Sequence, residues 1–365
     1  MPEFIPALEL AEKYYHQLVR PLLDANFPGL PHAAALIGYG SEVLGFDTPM
    51  SMDHCWAPRM QLFLPVEQLE LSAQVDDMLR KQLPTHFLGF PLGTRASPEG
   101  PAFFFMDDDP KAGEVNHRVQ IISLPDFTRQ EMGWDMCEQL VPADWLSFSS
   151  QILRAMTAGR VFYDNHGQLT QLRRQLAYYP QQVWLYLLSS GWDRIGQEDA
   201  LMQRAGFVED ELGSALMGSR LVRDIMSLCF LMEKQYAPYP KWFGTAFKKL
   251  TCAVQMSPVL WQVQVAATWQ ERAAALGAAC ELLVQKHNQL GLTQPMPEKV
   301  SSFHGRPFMV IQAENISSAI VSTLTDPEVM RIAKKGLLGG LDQFSDNTIL
   351  RSDPQWRQAL KGLFV

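Results

Sequence analysis

Three groups of residues in this sequence are of the type and spacing that chemistry needs. Gly38-Tyr39-Gly40-Ser41-Glu42 ends an apolar run, Ala33 to Tyr39, that reads as a short buried strand. A glycine followed by serine at a strand end lets backbone amides and a hydroxyl approach a phosphate, because no side chain obstructs the turn. Asp53-His54-Cys55-Trp56 follows and leads into a second extended run, Trp56 to Leu64. Residues 53 and 55 are two apart, so on a strand their side chains share a face, with His54 on the other. Two carboxylates there would hold two magnesium ions about 4 Å apart and clamp the attacking and leaving oxygens of a phosphoryl transfer. Only Asp53 is a carboxylate. The third group is Lys241, which follows the aromatic and proline-rich stretch Tyr236 to Pro240. A cation flanked by Tyr236, Tyr239 and Trp242 is suited to neutralising a triphosphate, and a lysine capping a helix end is the alternative.

Gly-Ser, a spacer, then Asp-x-Asp on a strand is the motif of the DNA polymerase beta-like nucleotidyltransferase superfamily, which this sequence resembles. It more closely resembles the bacterial family named domain of unknown function 4037, with Gly-Ser-Glu followed by Asp-His-Asp-Trp. The likeness continues in Gly159 to Asp164, Tyr236 to Trp242, Arg306-Pro307-Phe308 and Leu341 to Asp346, and so covers most of the chain. The resemblance implies transfer of a nucleoside monophosphate from a nucleoside triphosphate to a small-molecule or protein hydroxyl, releasing pyrophosphate. Asp53 would be the catalytic residue and a magnesium ligand, while Gly40, Ser41 and Lys241 would bind the nucleotide.

Two departures bear on that expectation. Cys55 stands where the family has its second aspartate, and a thiol is a poor ligand for a hard ion such as magnesium. The strand expected over Val115 to Leu124 offers Asn116, His117 and Gln120 but no acid after Glu114. Cys55 therefore marks a degenerate site that still binds nucleotide, an enzyme using other ligands such as Glu42, Asp47 or Asp164, or a substitution in an ordinary active protein. A catalytically silent nucleotide-binding module and an antitoxin-like interaction protein stand as the alternatives to an enzyme. Arg59 and Arg118 sit on the candidate strands, where a planar fork of donors meets either phosphate or a carboxylate.

The elements that must position these residues are legible in outline. Phe4, Leu8, Ala11, Tyr15, Leu18 and Leu22 recur at helical spacing, as do Val66, Leu69, Val75, Met78 and Leu79. Gly89 to Gly113 is rich in Pro, Gly and acidic residues, its run Asp107-Asp108-Asp109 reading as a solvated turn because the spacing does not match a calcium-binding loop, and Arg160 to Tyr163 reads as a further strand. After Gly167 the pattern is almost purely helical, with Ser257-Pro258, Asp326-Pro327 and Asp353-Pro354 as helix starts. The expected fold is α+β: a mixed-sheet nucleotidyltransferase-like domain over residues 1–168 and an all-helical bundle over 169–365.

Composition narrows the partners. The 365 residues are 47% hydrophobic and 19% charged, ample for two packed cores. A formal charge of -8 with scattered basic residues disfavours a nucleic-acid partner, which needs a concentrated positive field. The five cysteines are odd in number and widely spaced, as in reduced core thiols. No apolar run reaches the ~18 residues of a membrane span, and the start of the chain lacks a basic secretory pattern, so no membrane partner and a cytoplasmic location are expected.

Overall fold

The computed structural model describes residues 2–365 except 54, 55, 98, 99, 108–110, 112 and 114. The chain divides into two units, one of Met1–Gln139 with Ile152–Ala177, the other of Leu140–Gln151 with Tyr178–Val365. The helical unit thus takes a short segment from the middle of the α+β unit's sequence.

In the α+β unit the first apolar stripe forms α1 (Ala7–Tyr14), a π-helical turn (Tyr15–Val19) and α2 (Arg20–Asn26). The π turn immediately precedes Pro21, whose ring and missing N–H oppose a regular α turn at that point. Strand β1 (Ala33–Leu36) pairs antiparallel with β2 (Arg59–Phe63). After a 3-10 turn comes α3 (Ser72–Gln82), then two hairpins, β3 (His86–Phe87) with β4 (Phe90–Pro91) and β5 (Thr94–Ser97) with β6 (Gly100–Met106). The second hairpin lies within the Pro/Gly-rich stretch, where the aromatic run at 103–105 carries strand propensity. The acidic run at 107–109 lies largely outside the described residues.

Strand β7 (Arg118–Ile122) runs parallel to β2, with Arg59 opposite Arg118 and Gln61 opposite Gln120. Beyond α4 (Leu124–Met132), α5 (Pro142–Ser147) and α6 (Ser150–Thr157), strand β8 (Arg160–Asp164) completes a mixed sheet of order β7-β2-β1-β8. Alternation along β2 sorts its side chains: Met60 and Leu62 join Leu10, Tyr14, Val75 and Leu79 in one core, whereas Phe63 meets Phe127 of α4 edge-on at 5.2 Å. Gly159 has φ +72, and a Cβ there would fall 2.0 Å from the Leu36 carbonyl oxygen, so only glycine lets β8 enter beside β1. Helix α7 (Gln168–Gln175) closes the unit.

In the helical unit α8 (Gln181–Phe207) and α9 (Glu211–Met232) pack closely; a Cβ on Gly191 would come within 2.9 Å of Leu228. Then follow α10 (Pro240–Phe247), α11 (Ala253–Val265), α12 (Trp269–Gln289), a two-strand hairpin, α13 (Ala313–Val321) and α14 (Pro327–Lys335). Short helices α15 (Leu341–Phe344), α16 (Thr348–Ser352) and α17 (Arg357–Lys361) end the chain. Asp326 starts α14 as expected, its carboxylate accepting from the amides of Glu328 and Val329 at 2.9 and 3.0 Å. Pro258 does not start a helix. It lies inside α11, because the Glu233 carboxylate takes the amides of Thr251 and Cys252 at 2.7 and 2.8 Å and caps the helix earlier.

Candidate functional site

The turn leaving β1 is built on three hydrogen bonds. The Ile37 amide donates to Gln61 Oε1 at 3.1 Å, the Gly38 amide to the Ala155 carbonyl at 3.0 Å, and the Phe46 amide to the Ser41 carbonyl at 2.9 Å. Gly40 has φ +144, and a Cβ on it would stand 2.5 Å from the Glu42 carboxylate. Glycine at position 40 thus answers to two demands, the positive φ and the Glu42 carboxylate folded back over the turn. Glu42 is buried, and Oε1 accepts from Arg59 Nε at 2.9 Å and from Nη2 at 2.5 Å. Nη2 also donates to the Tyr39 carbonyl at 2.7 Å. A second carboxyl, Glu131 of α4, lies against Gly38; burial pushes its pKa above the ordinary glutamate value, and the positive charge of Arg59 opposes that shift. Arg59 thus serves as the counter-ion of the turn. Arg118, its neighbour across the parallel ladder, stacks its guanidinium 3.9 Å over Phe104 and donates to Thr94.

Asp53 differs from the sequence expectation in its setting. It ends a 3-10 turn, Pro49–Asp53, and is exposed, while β2 begins only at Arg59. Asp53 therefore stands on a 3-10 turn short of β2 and not on the strand that the same-face reading needs. The reason lies at the base of the loop, where Asp47 Oδ2 accepts from the Ala7 amide at 2.8 Å and the Trp56 indole at 3.3 Å and draws both ends together. His54 and Cys55 lie outside the described residues.

The other acids that the sequence offered as magnesium ligands are committed to protein donors. Glu42 belongs to Arg59, Asp47 to Ala7 and Trp56, and Asp164 Oδ2 to the Thr170 amide and hydroxyl at 2.8 and 2.7 Å. On β7, Gln120 faces Gln61 across the ladder and no carboxylate stands in the strand. Among the described residues no three of His, Cys, Asp and Glu are grouped to hold a metal ion. Two magnesium ions need a set of shared oxygen ligands that these residues do not form.

Lys241 lies in the helical unit, exposed on the first turn of α10, with its ammonium 5.1 Å from the Trp242 ring centroid. The residues around it do more than hold its stem. Tyr236 and the segment leading into α10 form one wall of a cavity of ≈ 400 Å³ inside the helical unit, and Asp342, Gln343 and Asp346 form part of another. Over a hundred residues separate the two segments, and their aromatic, proline and acidic content is the signal that local sequence carries for a shared cavity.

Comparisons with known proteins bear on this arrangement. Residues 145–243 match the family model described as Domain of unknown function (DUF4037), so the resemblance read from the sequence is borne out over that stretch. No curated protein matches the sequence. A solved structure of a nucleotidyltransferase-like protein from Exiguobacterium sibiricum 255-15 is similar at 10% identity and a TM-score of 0.34, covering 80% of this chain and 82% of that one.

Proposed function

We propose that the α+β unit is a catalytically silent nucleotide-binding module of nucleotidyltransferase type, in which two-metal transfer has been lost. The observation that supports this reading is the Glu42 carboxylate seated on Arg59 over Gly40. An anion of the chain itself holds the guanidinium that a phosphate at Gly40 and Ser41 would need. A nucleoside triphosphate enters by displacing Glu42 from Arg59, and Asp53, exposed at the end of its 3-10 turn, supplies at most one carboxylate. Magnesium then accompanies the triphosphate as its solution counter-ion, and no step is assigned to a metal pair.

Calorimetric titration of ATP against the wild type and Glu42→Gln tests the reading. The neutral amide should release Arg59 and tighten ATP binding at least about tenfold, since a competing charge has been removed. Equal affinity in the two proteins would sink it. So would magnesium-dependent pyrophosphate release by the wild type that Asp53→Ala abolishes, which would restore transfer to a small-molecule or protein hydroxyl as the function.

A further inference from the structure

The cavity of the helical unit is unused by the function proposed above. Its side walls are aromatic: Trp145, Phe148, Tyr179, Phe230, Tyr236 and Phe243. They brace one another, with ring centroids 6.1 Å apart for Trp145 and Tyr179, 5.1 Å for Tyr179 and Tyr236, and 5.3 Å for Phe230 and Phe243. All six fall within residues 145–243, the stretch that the family model matches.

One end of the cavity is polar and fixed. Asp342 Oδ2 accepts from the Ser150 amide at 2.6 Å, and Oδ1 stands 2.7 Å from Arg351 Nη2. Ser150 Oγ donates to the Ala237 carbonyl at 3.1 Å, which ties this end to the aromatic wall. The Asp342 carboxylate also lies close enough to Tyr179 to add to the burial that pushes its phenol well above the ordinary range. Arg223, also on the lining, pairs with Asp346 and with Asp224. The charged residues of the lining are two arginines and two aspartates, so their charges cancel. The lining thus presents no net positive charge to a phosphorylated ligand.

We infer that this cavity is a binding site for a flat, uncharged heteroaromatic molecule with hydrogen-bonding groups on one edge. Its faces lie against the aromatic walls and its polar edge meets the Ser150, Asp342 and Arg351 end. The volume lies in the range of small-molecule sites, about 300–1,000 Å³, and a few polar groups in an aromatic enclosure are what fix orientation in such sites. The site stands independently of nucleotide binding at Gly40 and Ser41.

The test is calorimetry on the full chain with adenine, adenosine, lumichrome and indole as flat uncharged probes. AMP serves as the charged counterpart, and cyclohexanol and myo-inositol as compact rings without a flat face. At least one flat heterocycle with a polar edge should saturate one site per chain. Ser227→Phe, which fills the cavity from α9, should weaken that binding at least tenfold with the melting temperature retained. Should that variant fail to fold, hydrogen exchange of the wild type decides: protection on adding the ligand should fall on 145–150, 236–243 and 340–346. No binding by any flat probe, equal binding by the saturated rings, tighter binding by AMP than by adenosine, or protection confined to 38–46 would each overturn the assignment.

Discussion

In the α+β unit Arg59 and Glu42 stand 2.5 Å apart beside Gly40, and in the helical unit Arg351 and Asp342 stand 2.7 Å apart beside an open volume. The chemical parts are the same and the settings differ. Glu42 keeps only 5% of its side-chain exposure and fills the space over its turn, whereas Asp342 keeps 24% and frames a space that aromatic rings hold open. A charge pair covers a site when its own carboxylate can fold onto the turn, so that a ligand must displace it. It defines one end of a site when surrounding rings are too rigid to collapse into the gap.

The contrast predicts unequal costs of breaking the two pairs. Arg59→Ala leaves Glu42 buried without its cation, and should destabilise the α+β unit by about 3–5 kcal/mol in urea unfolding. A loss below about 1 kcal/mol would mean that Glu42 swings out to water and that the turn is not closed as described. Within the helical unit, burial pushes the Asp199 pKa up to about 7. A carboxyl whose folded pKa is raised stabilises the fold in its neutral form, fully below the unfolded value and less as pH climbs to about 7. Asp199 should therefore take about 2 kcal/mol from the helical unit between pH 5 and pH 8, against a gain of similar size from His287, whose pKa burial lowers to about 4; in thermal melts Asp199→Asn should gain stability over that range relative to the wild type.

Gly40→Ala should cost about 2 kcal/mol, through its positive φ and its clash with Glu42. The control is Gly45→Ala, at φ +67 with nothing within 4 Å of the added carbon, which should cost about 1 kcal/mol. Because the two φ values differ, the share due to Glu42 is read by repeating Gly40→Ala in Glu42→Ala: an unchanged loss would show that Glu42 does not lie over the turn. Arg351→Ala should cost about 1 kcal/mol, less than Arg59→Ala, because the Asp342 side chain is 24% exposed and its Oδ2 keeps the Ser150 amide. Lys241→Ala, removing an exposed cation from the Trp242 ring, should change stability by no more than about 0.5–1 kcal/mol.

Much of the architecture could be read before the structure was known. The periodic stripes gave α1, α2 and α3, and the apolar runs gave β1, β2, β7 and β8, because burial against a single face leaves a repeating mark on local sequence. Asp326-Pro327 marked a helix start because its cap is made by the next two residues. Ser257-Pro258 misled for the opposite reason: the cap of α11 comes from Glu233, about twenty residues upstream.

The sequence by itself determined which residue types are present to do chemistry: Gly40, Ser41 and Asp53 at family-like spacing, Cys55 where a second carboxylate is expected, and aromatic blocks in the helical half. Tertiary structure decided how they are used. It gave Glu42 to Arg59, tied Asp47 to Ala7 and Trp56, and kept Asp53 on a 3-10 turn short of β2. It also set Tyr236 and Asp342 on the walls of one cavity. Spacing along a chain fixes only which side chains share a face within one element. Which carboxylate meets which cation, and whether rings pack shut or enclose a space, depends on contacts between elements far apart in sequence.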